Sequence, residues 1–333
     1  GENMELNIAS VEIEPKRHTF GHIARRFGED RPASRYEEGI YDAQETENFH
    51  YRPMYEPEFE IYDKNRTKIK MNDWYDLLDP RKFHYMTYVS ARSKENSANQ
   101  QSFDFIDNNG LIYRYSTEMK EEIYKYLAPL RHYEYAANLN NLNIVARGYG
   151  TALNAAALFY ATDSLGMAQH ITKTILAVSD NDTSVLDEAK NSWMTCENWQ
   201  PLRKLVEETL VIRDPIQILV AQNVALDGLV IPLLIRDFSA NIANKNNDFS
   251  LKMMLEFIYN WQEETTKWLD SILGVMVKES EENREILSSW ANEYISKAID
   301  ALTPLSGFSD DKNLLSNNVD NLKNRLSKIG LKV

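Results

Sequence analysis

The chain has 333 residues, of which 43% are hydrophobic and 26% charged, with a formal net charge of -13. That is long enough for a sizeable core and too apolar for a disordered polypeptide. The acidic balance argues against a general nucleic-acid or anionic-membrane binder, since both need an excess of Lys and Arg.

No basic-plus-apolar signal sequence opens the chain, so a cytoplasmic location is expected. Gly1-Glu2-Asn3 ahead of Met4 reads as an added remnant. Residues 1–71 show no sustained period and are punctuated by Pro15, Pro32, Pro53 and Pro57. Disordered tails are poor in aromatics, yet this stretch carries Tyr36, Tyr41, Phe49, Tyr51 and Tyr55. It is expected to be an extended N-terminal arm whose aromatic side chains anchor on a partner subunit, or on its own domain in a long wrap.

From residue 72 to 333 the pattern is helix after helix. Asp79-Pro80 predicts a helix start, an N-cap oxygen followed by a fixed φ, with Asn108-Asn109-Gly110 as the stop. Ser116 predicts the next N-cap, and Pro129 an interruption in the helix that follows. The small residues of 152–161 suit close helix packing. Later helices are expected at 185–195, 199–213, 215–244, 249–279, 281–304 and 310–328. The clearest follows Ser250: Leu251, Leu255, Ile258, Trp261, Thr265, Trp268, Leu269, Ile272 and Met276 recur every three to four residues and make one apolar face. The run from Ile216 to Ile235 contains Gln217, Gln222, Asn223, Asp227 and Pro232. That is too many polar groups for a lone span in lipid, so it reads as a buried helix and no membrane association is expected. The expected fold is all-α, a ferritin-like long-helix bundle with an extended N-terminal arm, because helices of ~25–30 residues far exceed the ~11–12-residue average.

A long-helix bundle raises the di-iron carboxylate class, which draws a Glu from each of two helices and a Glu-x-x-His from each of two others. Residues three apart share a helix face, so both can grip one metal. There are six histidines. Three residues before His18, His22, His50, His84, His132 and His170 stand Pro15, Thr19, Glu47, Arg81, Pro129 and Met167, so only Glu47/His50 fits, in the arm where no long helix is expected. No zinc, phosphate-loop, dinucleotide or nucleophile-elbow motif appears. The single cysteine, Cys196 beside Trp193 and Trp199, excludes an internal disulfide or Cys-based cluster and reads as packing. Glu134 and Asp227 stand in otherwise apolar helical settings. Buried carboxylates can be catalytic, but pairing with Arg131, Arg147 or a backbone N–H is the simpler expectation. No catalytic, cofactor-binding or metal site is therefore expected on this chain.

Several segments taken together resemble the beta (small) subunit of bacterial multicomponent phenol hydroxylases. They are Asp73-Trp74 with DPRKFHYMTYVSARSK (79–94), PLRHYEYAANLNN (129–141), VAQNVALDGLVIPLL (220–234), ENREILSSW (282–290), KIGLKV (328–333) and, in the arm, SRYEEGIYDAQETENFHYRP. The resemblance runs from about Arg17 to Val333. Leu130-Arg131-His132 looks like part of the catalytic alpha subunit's Asp-Glu-Leu-Arg-His motif. Pro129 then stands at a degenerate ligand position, where its ring supplies no carboxylate, and His132 is a leftover. The resemblance implies an assembly of two alpha, two beta and two gamma subunits. It places the di-iron centre on the alpha subunit, with a reductase carrying FAD and [2Fe–2S] that takes electrons from NADH, and a regulatory protein. It also implies conversion of phenol to catechol, with this chain in a supporting role. Three other readings remain: a beta subunit of a toluene or alkene monooxygenase, a metalloenzyme with the atypical set His132, Glu134 and Asp227, and an unrelated helical scaffold.

Overall fold

The computed structural model describes residues 19–333, and among them there is no β-strand. Residues 1–18 of the expected arm, His18 included, lie outside the described residues. The described part of the arm holds two short helices, α1 (Gly21–Phe27) and α2 (Arg35–Ile40). A capping box starts α2: Ser34 Oγ accepts from the Glu37 N–H, and Glu37 Oε1 accepts from the Ser34 N–H, both at 3.1 Å. Ile23, Tyr36, Ile40 and Tyr41 pack with Tyr75 and Ala152, so two of the five expected aromatic anchors, Tyr36 and Tyr41, dock on the chain's own body. Phe49, Tyr51, Met54 and Tyr55 remain exposed.

The body comprises α3 (Tyr85–Asn108), α4 (Thr117–Tyr126), α5 (Leu130–Arg147), α6 (Thr151–Val178), α7 (Ser184–Thr195) and α8 (Gln200–Thr209). It continues with α9 (Pro215–Asn246), α10 (Ser250–Glu279), α11 (Glu281–Leu302) and α12 (Leu314–Ile329). The expected helix start at Asp79-Pro80 is wrong. Asp79 is buried and spends both carboxylate oxygens on Arg81: Oδ1 accepts from its backbone N–H (2.9 Å) and Nε (3.0 Å), and Oδ2 from Nη2 (3.0 Å). Lys82 then turns left-handed (φ 55°), and α3 begins only after His84. The stop at Gly110 holds, with φ 59°. Ser116 caps α4 as expected, its Oγ accepting from the Met119 N–H at 3.1 Å. Pro129 sits at the junction of α4 and α5 as the N-cap residue of α5.

α5 and α6 form an antiparallel pair pinned at its centre by Asn138, whose Nδ2 donates to the Ala161 carbonyl at 2.7 Å. α9 runs through the middle of the bundle, and every residue from Pro215 to Ile235 except Gln217 is buried. It is long and apolar enough to cross a membrane, but here protein encloses it. Burial of each Leu, Ile or Val along it contributes ~1.5–3 kcal/mol. Asp214 caps it, Oδ1 accepting from the Ile216 and Gln217 N–H groups (2.9 and 3.2 Å), with Pro215 at the first helical position. Two stretches of α9, Leu219–Leu226 and Pro232–Asp237, are wound as π-helix around an α-turn at Asp227–Ile231. Such widening is rare and clusters at functional or once-functional positions. α10 buries Leu251, Leu255, Ile258, Trp261, Trp268, Ile272 and Met276, the stripe its periodicity predicts.

Candidate functional site

The π-wound part of α9 faces α5 across a buried polar layer. Asn223 and Asn141 exchange amide hydrogen bonds (2.9 and 2.8 Å), and Asn140 Nδ2 donates to Gln222 Oε1 and Thr209 Oγ1, each at 2.9 Å. At its inner end lies the Asp227 carboxylate. It accepts from the Tyr133 hydroxyl on α5, the Tyr160 hydroxyl on α6 and Gln222 Nε2 (3.0 Å). Burial pushes Asp227 up to about 6 despite these three donors. Burial and then the Asp227 charge raise the Tyr133 and Tyr160 hydroxyls well above their ordinary range, so both stay protonated and donate.

Glu134 is 1% exposed, and its Oε2 has no donor among the described residues. Burial first, and then the Asp227 charge, push it well above the ordinary carboxylate range. The expected pairings with Arg131 and Arg147 do not form: Arg131 donates to Thr172 Oγ1 (2.7 Å) and Arg147 to Glu56 Oε1 (2.7 Å). A carboxyl whose folded pKa is raised contributes its stability below the unfolded pKa and loses it as pH rises through the folded one. As pH rises from about 4 through about 6 the wild-type melting temperature is therefore expected to fall, through the raised carboxyls of Asp227 and Glu134. Glu134→Gln should flatten that slope and gain stability at pH 8 but not at pH 4. Parallel pH–melting curves for the two proteins would contradict the assignment.

The structure brings Glu134 and Asp227 together but not His132. Positions two apart on a helix do not share a face, and His132 turns away from the acid pair. Its ring stacks on Trp193 of α7, with centroids 6.3 Å apart and planes at 24°. Its Nε2 is buried without a partner among the described residues, and burial lowers its pKa ahead of the nearby Arg131 and Lys190 charges. Glu47 and His50 lie in irregular chain outside any helix, with His50 at φ 69°, so they share no helix face. Among the described residues no three His, Cys, Asp or Glu side chains converge where an ion could sit. Cys196 packs at the edge of the core, near the Trp193–Trp199 pair.

A second buried cluster was not foreseen from sequence. Arg92 on α3 grips Asp163 on α6 with two parallel bonds (Nε to Oδ1 2.8 Å, Nη2 to Oδ2 2.9 Å) and reaches Glu264 on α10 through Nη1 (2.9 Å). Asp163 also accepts from the Tyr88 hydroxyl (2.7 Å) and Trp261 Nε1 (2.9 Å). The only hint in the sequence was that Asp163, like Asp227, is a lone carboxylate in an apolar run.

The fold defines a long-helix bundle whose interior carries two carboxylates held by phenols and an indole. The chain belongs to the methane/phenol/alkene hydroxylase family, whose model matches residues 52–280. It is 36% identical to the phenol 2-monooxygenase oxygenase component DmpL of Pseudomonas sp. (strain CF600), over 99% of each chain. The crystal structure of xenon-pressurized phenol hydroxylase from Pseudomonas sp. OX1 contains a chain that superimposes with a TM-score of 0.93 at 36% identity, over 98% of this chain and 99% of that one. A more distant relative is the beta subunit of the toluene-4-monooxygenase hydroxylase component of Ectopseudomonas mendocina, 18% identical over 69% of this chain and 71% of that protein.

Proposed function

We propose that this chain is the non-catalytic beta subunit of the hydroxylase component of a multicomponent phenol hydroxylase. In this reading its role is to support the fold and assembly of an oxygen-activating alpha subunit, with gamma, regulatory and reductase partners completing the system. The observation that carries the proposal is the donor set at the centre of the bundle. A di-iron centre of this class needs four carboxylates and two histidines facing inward. Here Pro129 stands three residues before His132, His132 lies against Trp193, and both Asp227 oxygens are taken by Tyr133, Tyr160 and Gln222. These residues do not fit a di-iron centre, and the chemistry on phenol is assigned to the partner. The 18%-identical relative bearing the name of a beta subunit supports the same role.

The surface supports a subunit role as well. Tyr135, Leu139 and Leu142 of α5 and Leu158, Thr162 and Leu165 of α6 recur at helical spacing and are exposed. Between Arg131 and Arg147 no exposed side chain of α5 is charged, and on α6 only Lys173 is. An uncharged two-helix face on a chain of net charge -13 suits a permanent helical interface. Gly166, in the middle of α6, is not required by internal packing, since a Cβ there meets nothing within 4 Å. In the same reading, the arm of residues 1–71 wraps the partner through Phe49, Tyr51, Met54 and Tyr55.

The test is co-purification. Leu139→Glu and Leu165→Glu should each change the chain's own stability by no more than about 0.5 kcal/mol, yet prevent recovery with a tagged alpha subunit. Undiminished recovery of both variants would overturn the assignment of this face.

A further inference from the structure

α3 and α10 run antiparallel. Arg92, in the first half of α3, reaches Glu264 (2.9 Å), and Tyr115, beyond the end of α3, bonds to Ser250 at the start of α10. Between the two helices lies a groove of about 340 Å³, and none of its lining residues belongs to the α5/α6 face. The buried Trp261 and half-buried Met253 and Phe257 give it an apolar floor, beside Glu95, Glu256 and Glu264. No Lys or Arg lines it.

The lining residues recur at the spacing of one helix face: Glu95, Ala98 and Ser102 on α3, and Met253, Glu256, Asn260 and Glu264 on α10. Phe105 and Phe249, 51% and 53% exposed, continue the two stripes at the same end. From Phe249 to Glu264 the groove runs for ~22 Å at ~1.5 Å per residue, the length of a four-turn helix. Its charge is also unbalanced. Arg92 is shared among Glu95, Glu264 and Asp163, while Arg81 reaches Glu264 only at 3.4 Å and is already paired with Asp79. Burial raises the Glu95 carboxyl, Arg92 opposes this, and the Glu264 and Asp163 charges add to it. A wholly apolar helix laid here would bury carboxylates without partners. A small cation alone would leave the aromatic floor uncovered. Long basic side chains meet both demands, because their stems cover apolar surface while their charged heads reach the glutamates.

We infer that the α3–α10 groove is a docking site for a basic amphipathic helix contributed by another component of the monooxygenase system. It is an interface separate from the α5/α6 face, and it rests on the subunit reading only for the system that supplies the helix.

The test places the photoreactive residue p-benzoylphenylalanine at the exposed position Asn260 of the full chain. Cells co-expressing the neighbouring component reading frames are irradiated, and the cross-linked peptide is identified by mass spectrometry. It should come from another component and carry Lys or Arg beside apolar residues at three- and four-residue steps. The yield should fall about tenfold in Glu256→Lys, because like charges facing each other across an interface are strongly disfavoured. It should be unchanged in Glu188→Lys, which alters the net charge equally at an exposed position of α7. Ala98→Trp, which fills the groove without changing a charge, should abolish the cross-link. Sizing of unirradiated material reports the subunit reading separately, so the two can fail independently. No cross-link to another component, a cross-link to an acidic segment, an undiminished yield in Glu256→Lys or Ala98→Trp, or an equal loss in Glu188→Lys would overturn the docking site.

Discussion

Arg92→Met is expected to destabilise the chain by about 3–5 kcal/mol, the usual cost of removing one partner from a buried ion pair. Methionine replaces much of the packing volume, so the loss is electrostatic. Asp163 keeps only the Tyr88 hydroxyl and the Trp261 indole as donors, and Glu264 loses its bond at 2.9 Å. The guanidinium also joins three helices, α3 through its own backbone, α6 through Asp163 and α10 through Glu264. Chemical denaturation should show the loss directly. The double variant Arg92→Met/Asp163→Leu should be the more stable of the two, because no uncompensated carboxylate is left inside. A double variant less stable than Arg92→Met would show that the cost comes from packing and not from charge.

Glu56→Gln is expected to cost a comparable ~3–5 kcal/mol, felt first in the arm. Glu56 is 1% exposed and accepts from three arginines: Arg66 Nε at 3.0 Å, Arg147 Nε at 2.7 Å and Arg213 Nε at 3.3 Å. These come from the arm itself, the end of α5 and the turn before α9, so one carboxylate ties the arm to two parts of the body. The neutral amide leaves the Arg66 and Arg147 guanidinium groups without an anion, while Arg213 keeps Glu58. Amide exchange should speed up across residues 44–66 before the bundle core changes. Equal protection of that segment in wild type and variant would show that other contacts, such as the Lys68 N–H to Asp214 Oδ2 (2.8 Å), hold the arm instead.

The helices were legible because their signals are local. The α10 stripe, the Ser116 cap, the Gly110 stop and the Pro129 break each depend on residues within one or two turns. Asp79-Pro80 carried an equally good local signal and misled, because Arg81 captures the Asp79 carboxylate that would have capped a helix. The π-winding of α9 had no local signal. It accompanies side-chain bonds from Gln222 and Asn223 to Asn140 and Asn141, some eighty positions earlier in the chain. The same limit applies at the centre of the bundle. A lone Asp227 in an apolar run announces that donors must exist, but not that they are Tyr133 and Tyr160. That His132 and Asp227 would not meet was legible in part, since His132 and Glu134 cannot share a helix face.

Iron stoichiometry is the most direct test of the central claim. The chain is produced alone and with its neighbouring alpha and gamma reading frames under iron-replete conditions, and iron per chain is measured after sizing. The account predicts no stoichiometric iron on the chain alone. It predicts a large complex when the partners are present, with iron that follows the number of alpha subunits and is unchanged by His132→Ala or Asp227→Asn in this chain. Stoichiometric iron on the isolated chain, lost in those two variants, would contradict it.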